Sequence, residues 1–218
     1  MKTSNRHLLF ILYDYNRTNV KEKKTMSVTY PIKNRKLLEL FKDYYVSTKP
    51  NPRNYTMIVM GLNTAFRIGD LLQLQWDDVY DEKKREFRRH ICITEQKTGK
   101  ERIVAVNQNE QQALEQYYKI LRPSAQTDYL FQSQKSKGAP LSRFQAYRII
   151  KEAAKNTGLE GHIGCHSLRK TFGYHAWKQG TQPAMLINLY NHSSYQVTQR
   201  YLGIEQDERD HVYLHIEL

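Results

Sequence analysis

Two histidines, an arginine and a tyrosine in the C-terminal part of the chain form a set that could transfer a phosphoryl group. His166 and Arg169 are three positions apart, His192 follows a short apolar segment, and Tyr201 lies nine residues further on. A guanidinium can bind phosphate oxygens, an imidazole can accept a proton, and a phenol can act as a nucleophile. These groups predict phosphoryl transfer onto a tyrosine, provided that other cations converge on them.

Two basic residues earlier in the sequence are candidates for those cations. Arg67 is expected on a short helix together with Asp70, which lies about one turn further on and could hold the guanidinium in one orientation. Lys97 stands in the KTGK stretch at the tip of a predicted hairpin, where a flexible cation could reach a phosphate. Each feature alone is also typical of a solvated turn or a surface ion pair.

The elements that would carry these residues are mostly helices. Apolar residues recur with helical spacing over 34–48, 55–62, 68–72, 108–121, 142–156, 167–178, 183–190 and from about 194 to 202. Thr64 is expected to cap the third of these helices. Between them, residues 88–106 alternate around a Gly-containing turn and predict a hairpin. The fold class predicted is α+β, mostly α-helical, with one small antiparallel β-sheet.

One main domain accounts for most of the chain. Residues 1–27 end in the basic run KEKKT without a clear period, so we interpret them as a tail or a linker remnant. Residues 28–218 contain no internal repeat and no convincing linker. Their last part, about 205–218, is first acidic and then amphipathic, and it is expected to dock as a helix or strand on its own body or a neighbour's.

The composition favours a polyanionic partner in a reducing compartment. The 218 residues carry a formal net charge of +12 and a pI of about 9.6, which points to nucleic acid. Two cysteines make neither a disulfide framework nor a zinc site. The early apolar run LLFILY is far short of the ~20 residues that span a membrane. We therefore expect a cytoplasmic protein, associated with the nucleoid, and no membrane partner.

Four blocks of sequence, taken together, resemble the catalytic domain of the tyrosine recombinases, or phage integrases. They are TAFRIGDLLQLQWDDV, QKTGK, HSLRKTFGYHAWKQG and NHSSYQVTQRYL, and the resemblance extends over roughly residues 30–203. Their order and spacing make the resemblance specific, although each block alone would be weak. The function it implies is that of a site-specific DNA recombinase, which breaks and rejoins strands through a 3′-phosphotyrosine intermediate.

The resemblance also implies a role for each candidate residue. The catalytic set is Arg67, Lys97, His166, Arg169, His192 and Tyr201, with Asp70 in a supporting position. Tyr201 is the expected nucleophile and the two arginines are the expected phosphate clamp. His166 is the candidate general base, His192 a hydrogen-bonding partner of the phosphate, and Lys97 the general acid for the leaving 5′-oxygen. No cofactor and no metal are expected.

Three departures from the usual family pattern remove none of these groups. Ala65 and Asn191 stand where glycine is common, and Lys170 stands where a histidine often follows the second arginine. Asn191 is tolerable because asparagine accepts left-handed backbone angles. A larger difference is upstream, since about 30 residues cannot fold into the DNA-clamping domain that family members usually carry.

Other functions remain open at this level. A non-catalytic DNA-binding accessory protein of the same fold would explain the basic charge equally well, but it would not need Tyr201 or His192. A type IB topoisomerase uses similar chemistry to relax supercoils. Family members act as homotetramers on two double-stranded DNA segments and exchange a C-terminal segment, and residues 205–218 are the candidate for that exchange.

Overall fold

The helices and strands of the computed structural model follow the expected order. The structure describes residues 29–121, 123, 128–136 and 138–216, so the predicted tail at 1–27 lies outside the described residues. The helices are α1 (Arg35–Ser47), α2 (Pro52–Asn63), α3 (Ile68–Leu72), α4 (Trp76–Val79), α5 (Gln108–Leu121), α6 (Arg143–Asn156), α7 (Cys165–Lys178), α8 (Pro183–Tyr190), α9 (Tyr195–Leu202) and α10 (Glu205–His215). The strands are β1 (Tyr80–Asp81), β2 (Glu86–Phe87), β3 (His90–Thr94) and β4 (Glu101–Ala105).

Helix α2 is the central element of the main core. The Asn51 side chain accepts a hydrogen bond from the Asn54 amide at 3.0 Å, and Pro52 occupies the first turn, where its missing N–H costs nothing. Most of the helix is buried, and it packs against α1, α5 and α7. Because α2 contacts α7 and leads into the segment before Arg67, it fixes the position of Arg67 relative to the candidate residues on α7.

Thr64 lies at the C-terminal end of α2 and not, as expected, at the start of α3. Thr64 is the C-terminal cap of α2, and its hydroxyl donates to the Met60 carbonyl at 2.8 Å. The N-terminal cap of α3 is Arg67 itself, with extended backbone angles and no side-chain capping bond. The prediction that Thr64 caps the following helix was therefore wrong, because a left-handed residue, Ala65 at φ 52°, separates the two helices.

The predicted hairpin is present, and the mostly helical fold with a small antiparallel sheet is confirmed. Strands β3 and β4 pair in antiparallel register, with His90 opposite Ala105 and Thr94 opposite Glu101, so that residues 95–100 form the connecting turn. The described residues contain a second antiparallel pair, β1 with β2. Two-residue strands are too short for alternation to reveal, so the sequence indicated one sheet where the structure has two small ones.

A second, smaller core joins α7, α8 and α9. It consists of the buried residues Ala65, Tyr190, Leu202 and Ile204, with several partly buried aromatic side chains around them. A Cβ on Gly173 of α7 would lie 2.5 Å from both the Tyr190 hydroxyl and the Leu202 side chain, so the missing side chain allows this close approach. This cluster holds the helix that carries Tyr201 against the helix that carries Arg169.

Helix α10 packs loosely and has no buried residue. Its first turn is tied to the body by the Lys33–Asp207 ion pair at 2.6 Å, while its last turn exposes several large apolar side chains. Within the docking segment predicted at 205–218, the structure has a helix over Glu205–His215. No helix in the described part of the chain combines the length and the apolar character needed to cross a membrane.

Candidate active site

Arg67 projects from the junction before α3, but its partner is not the aspartate that the spacing suggested. Its Nη1 lies 2.7 Å from Oε2 of Glu95, a buried carboxylate at the end of β3. Asp70 instead accepts the backbone N–H of Gln96 at 2.9 Å through Oδ1. The expectation that Asp70 orients the Arg67 guanidinium is therefore corrected. The two side chains have different partners because Glu95 and Gln96 of the hairpin, far away in the sequence, pack against this helix.

Lys97 lies in the exposed turn between β3 and β4, as the hairpin pattern indicated. The turn is closed by the Glu95 carbonyl, which accepts the Gly99 amide at 2.8 Å, and Gly99 supplies the positive φ of 66° that the turn requires. Lys97 is near enough to the first turn of α7 to contribute to lowering the pKa of His166. The hairpin tip therefore belongs to the same surface as the α7 residues.

Arg169 is the most buried cation of the set, with 3% of its surface exposed. Its Nη1 donates to the carbonyl of Ala65, its Nη2 donates to the carbonyl of Tyr190 at 3.5 Å, and its guanidinium carbon lies 4.7 Å from the centre of the Tyr190 ring. Burial, together with neighbouring arginines, lowers its pKa from the ordinary value. These contacts fix the guanidinium at the junction of the two cores.

His166 lies in the first turn of α7, one turn before Arg169, and its side chain is exposed. Partial desolvation, and then the charges of Lys170 and Arg169, lower the pKa of His166 below its usual value. A lowered pKa keeps this imidazole neutral at pH 7, which is the form that can accept a proton. The position therefore suits a general base.

His192 and Tyr201 are brought together by the turn between α8 and α9. Asn191 adopts left-handed angles, φ 52° and ψ 47°, which confirms the expectation that this residue can replace a glycine here. The His192 Nδ1 lies 3.1 Å from the Thr198 hydroxyl, and its ring centre is 5.2 Å from that of Tyr201 in an edge-on arrangement. Desolvation lowers the pKa of His192, and nearby arginines lower it further.

The half-buried Tyr201 phenol lies among these cations. Burial raises the pKa of Tyr201, while the charge of Arg169, a hydrogen bond from it and the charge of Arg67 act in the opposite direction. The Lys170 ammonium lies 5.0 Å from the centre of the Tyr201 ring and donates to the Thr29 carbonyl at 2.7 Å. Arg67 also contributes to the lowered pKa values of His166 and His192, so the predicted residues share one electrostatic neighbourhood.

Two residues beside this group were not singled out from the sequence. Glu95 was part of the quoted hairpin region, but its contact with Arg67 joins residues far apart in the chain, so local spacing could not reveal it. Lys170 was noted only as a departure from the family pattern. A groove of about 880 Å³ beside His192 is lined partly by the hairpin, which contributes Lys100 and Arg102 as well as the carboxylate of Glu95. No group of acidic, histidine or cysteine side chains in the described ranges could hold a metal ion.

Comparison with known proteins identifies the class to which this fold and site belong. Residues 33–208 match the sequence model of the phage integrase family. The chain therefore belongs to this family and is a tyrosine recombinase by class.

Among its relatives, the "Probable integrase/recombinase YoeC" of Bacillus subtilis is 38% identical over 182 residues, which cover 84% of this chain and 93% of that protein. The "Tyrosine recombinase XerD" of Corynebacterium glutamicum is 31% identical over 165 residues, 74% of this chain and 52% of that protein. The chain thus spans most of the first relative but about half of the second.

Two solved structures have the same fold. The crystal structure of XerA recombinase superposes with a TM-score of 0.68 and 23% identity, covering 85% of this chain and 65% of that one. The pre-cleavage complex of XerH site-specific recombinase bound to difH substrate gives a TM-score of 0.63 and 21% identity, covering 85% and 53%. At these identities the superpositions establish the architecture.

Proposed function

We propose that the chain is a site-specific DNA recombinase, an integrase, that breaks and rejoins strands through a 3′-phosphotyrosine on Tyr201. The observation that carries the proposal is the packing around Tyr201: its ring centre lies 5.4 Å from that of Tyr190, and the Arg169 guanidinium lies 4.7 Å from the same Tyr190 ring. The charges of Arg169 and Arg67 both act against the rise in the pKa of this half-buried phenol. In-line attack on a phosphodiester needs this arrangement, because charge accumulates on the non-bridging oxygens as the phenol oxygen approaches phosphorus.

The two arginines have the chemistry of a phosphate clamp. Each guanidinium carries five N–H donors in a planar fork, so Arg169 can serve its carbonyl partners and still offer donors to a phosphate. Arg67 likewise uses one edge for Glu95. Loss of one such donor set typically costs ~10²–10³ in rate. With two fixed cations at the phosphate, the proposed reaction requires no metal ion.

Proton transfer is assigned to the histidines and the hairpin lysine. His166 is the base that takes the phenolic proton, and His192 hydrogen-bonds a non-bridging oxygen while its Nδ1 is held by Thr198. Lys97 protonates the 5′-oxygen as it leaves. Asp70 supports the site by fixing the Gln96 backbone of the hairpin turn. Rejoining reverses these steps when another 5′-hydroxyl attacks the phosphotyrosine, so no nucleotide cofactor is consumed.

Double-stranded DNA is the proposed partner and follows from charge as well as chemistry. A net charge of +12 suits a polyanion, and the XerH neighbour is described as bound to its difH substrate. We propose that the chain works as a homotetramer on DNA with exchange of the C-terminal segment. The exposed apolar face at the end of α10 is the surface available for it. We propose that it acts in the cytoplasm, at the nucleoid, because that is where its DNA partner would lie.

A covalent-trapping experiment tests this function on a pool of DNA sequences, so that the target site need not be chosen in advance. A duplex library with a randomised, nicked core is incubated with the protein, so that the short 5′-hydroxyl fragment diffuses away after cleavage and the adduct persists. Adducts are isolated in detergent, the DNA is sequenced, and the linked residue is mapped by mass spectrometry. The wild-type protein should yield adducts on Tyr201 with a shared core sequence, also in the presence of a chelator.

Matched tyrosine variants decide the outcome. Tyr201→Phe should yield no adduct yet keep DNA binding, whereas Tyr195→Phe, on the same helix, should still form it because that hydroxyl is engaged with Glu208. Adduct formation by Tyr201→Phe would refute the assignment of the nucleophile. Binding without any wild-type adduct would favour the non-catalytic accessory protein, and relaxation of plasmids without site preference would favour a topoisomerase.

A further inference from the structure

Glu95 is a buried carboxylate in the middle of the proposed phosphate-binding surface. Only 5% of the residue is exposed, and its side chain contacts three donors: Arg67 Nη1 at 2.7 Å, the Thr98 hydroxyl at 2.8 Å and Arg102 Nη1 at 3.4 Å. Burial by itself would raise the pKa of Glu95, but the hydrogen bonds from Arg67 and Thr98 hold it below the usual value. The group is therefore a carboxylate at neutral pH.

The backbone of the same residue closes the turn that carries Lys97. The Glu95 amide donates to the Lys100 carbonyl at 2.9 Å, and the Glu95 carbonyl accepts the amides of Gly99 at 2.8 Å and Thr98 at 3.3 Å. Side chain and backbone together connect Glu95 to Thr98, Gly99 and Lys100 of the turn. The contact of the Glu95 side chain with Arg67 thus helps to set the orientation of the turn, beside the bond from the Gln96 amide to Asp70.

A negative charge at this place needs an explanation. A carboxylate 2.7 Å from Arg67 opposes the binding of a phosphate to that arginine, since it neutralises part of the charge that attracts the anion. The ion pair would also contribute little to the stability of the fold, because the cost of desolvating the two charges offsets much of their attraction. The arrangement is explained if the Glu95 side chain fixes the distance between Arg67 and the hairpin turn.

We propose that Glu95 is a positioning residue that couples Lys97 to Arg67, so that the lysine reaches the leaving oxygen when the arginine binds the phosphate. The inference rests on the proposed function and deepens it. In the step concerned, the Tyr201 oxygen bonds to phosphorus and its proton passes to His166. The bond from phosphorus to the 5′-oxygen breaks, and Lys97 supplies the proton that makes the leaving group a hydroxyl.

A sulfur substitution separates this role from a merely structural one. Single-turnover cleavage is measured on two nicked duplexes carrying the core sequence recovered with the wild-type protein. One has an ordinary scissile phosphodiester, and the other has sulfur as the 5′-bridging atom. A thiolate leaves without a proton, so the second duplex does not need the general acid. Both duplexes depend equally on the nucleophile and on the arginine clamp.

Glu95→Gln keeps the shape of the side chain but removes its charge and puts an NH2 group against either Arg67 or Arg102, so the link between the turn and Arg67 is weakened. We expect cleavage of the oxygen duplex to fall by about 10- to 100-fold, since misplacing a reacting group by about 1 Å costs up to ~10². On the sulfur duplex the rate should return to within about 3-fold of wild type. Thr98→Val, which removes one contact to Glu95, should show a smaller defect with the same rescue.

Two further variants serve as controls for charge and folding. Glu101→Gln removes an exposed carboxylate from the same hairpin and should cleave both duplexes like wild type. Glu95→Asp keeps the charge and should recover part of the oxygen-duplex rate. The unfolding midpoint of each variant is measured, and cleavage is compared only under conditions in which every variant is folded.

The outcomes separate this inference from the function on which it rests. Equal losses on both duplexes in Glu95→Gln, or no loss on the oxygen duplex, would overturn the positioning role while the wild-type adduct still supported the recombinase. Absence of a wild-type adduct on either duplex would instead overturn the proposed function, and the role of Glu95 with it.

Discussion

Glu110 at the start of α5 gives a prediction whose size can be worked out from its surroundings. Its Oε2 accepts the Asn107 amide at 3.0 Å, and its own amide donates to the Asn107 side chain at 3.0 Å, so the two residues cap the helix reciprocally. The residue is fully buried and Oε1 has no hydrogen-bond partner. Burial raises the pKa of this carboxyl from 4.5 to about 7, and only the Asn107 amide opposes the shift.

The shift fixes both the sign and the size of the effect. A raised carboxyl pKa means that the folded state binds the proton more tightly than the unfolded state. The contribution of Glu110 to the free energy of unfolding therefore falls as the pH rises from about 4.5 to about 7, and it changes no further above that pH. The difference between these two pKa values corresponds to about 3 kcal/mol. Glu110→Gln is uncharged at every pH, so at pH 8 it should be more stable than wild type by about that amount.

The assay is the unfolding of both proteins by urea and by heat between pH 5 and pH 8.5. The two should be similar near pH 5 and differ most at pH 8, where the melting temperature of Glu110→Gln should be higher by roughly 6–12 °C for a chain of this size. Glu115→Gln, on the same helix but partly exposed, should keep the wild-type pH dependence. A gain that is equal at both ends of the pH range, or no gain at pH 8, would refute the reasoning.

Three further predictions concern the candidate site. Arg169→Lys cannot serve both carbonyl partners, so it should lose about 2 kcal/mol of stability in urea unfolding and ~10²–10³ in single-turnover cleavage; wild-type cleavage would disprove the clamp. Because the pKa of His166 is lowered, the acid limb of the cleavage profile should lie below pH ~6.5 and vanish in His166→Ala; a limb above 7 would exclude this base. Ala65→Gly stabilises the folded state by ~1–2 kcal/mol, because glycine adopts left-handed angles without strain. Two terms oppose this gain: the loss of a buried methyl group costs ~0.8 kcal/mol, and the larger conformational entropy of glycine in the unfolded chain costs ~0.4–1 kcal/mol. Its unfolding free energy should stay within ~1 kcal/mol of wild type, and a loss above ~2 kcal/mol would contradict this balance.

The sequence predicted the helices and strands better than the contacts among them. Helical periodicity and the Gly-containing turn were sufficient for most of the architecture, because both depend on neighbours within a few positions. The partner of Arg67 could not be found in that way. Reasoning about residues one turn apart chose Asp70, whereas the chain places Arg67 before the helix and against Glu95, 28 positions later. Such a contact depends on how the hairpin packs, which no local spacing encodes.

Ala65 illustrates a second limit. The sequence showed only that alanine stands where the family often has glycine. The structure shows that Ala65 is both left-handed and buried, and that its carbonyl is the acceptor for Arg169. A strained backbone at this point presents the carbonyl to the guanidinium, so the conformation of one small residue helps to fix a cation about a hundred positions away.

The attachment of α10 has a mechanical consequence for the tyrosine that precedes it. The Glu208 carboxylate of α10 accepts hydrogen bonds from the Tyr195 hydroxyl and the Gln199 side-chain amide, both on the helix that carries Tyr201. Because no residue of α10 is buried, a displacement of this helix acts on the helix that carries Tyr201 through the hydrogen bonds of Glu208. A displacement of α10 would therefore also act on the smaller core, because Ile204 at its start and Leu202 beside Tyr201 are both buried there.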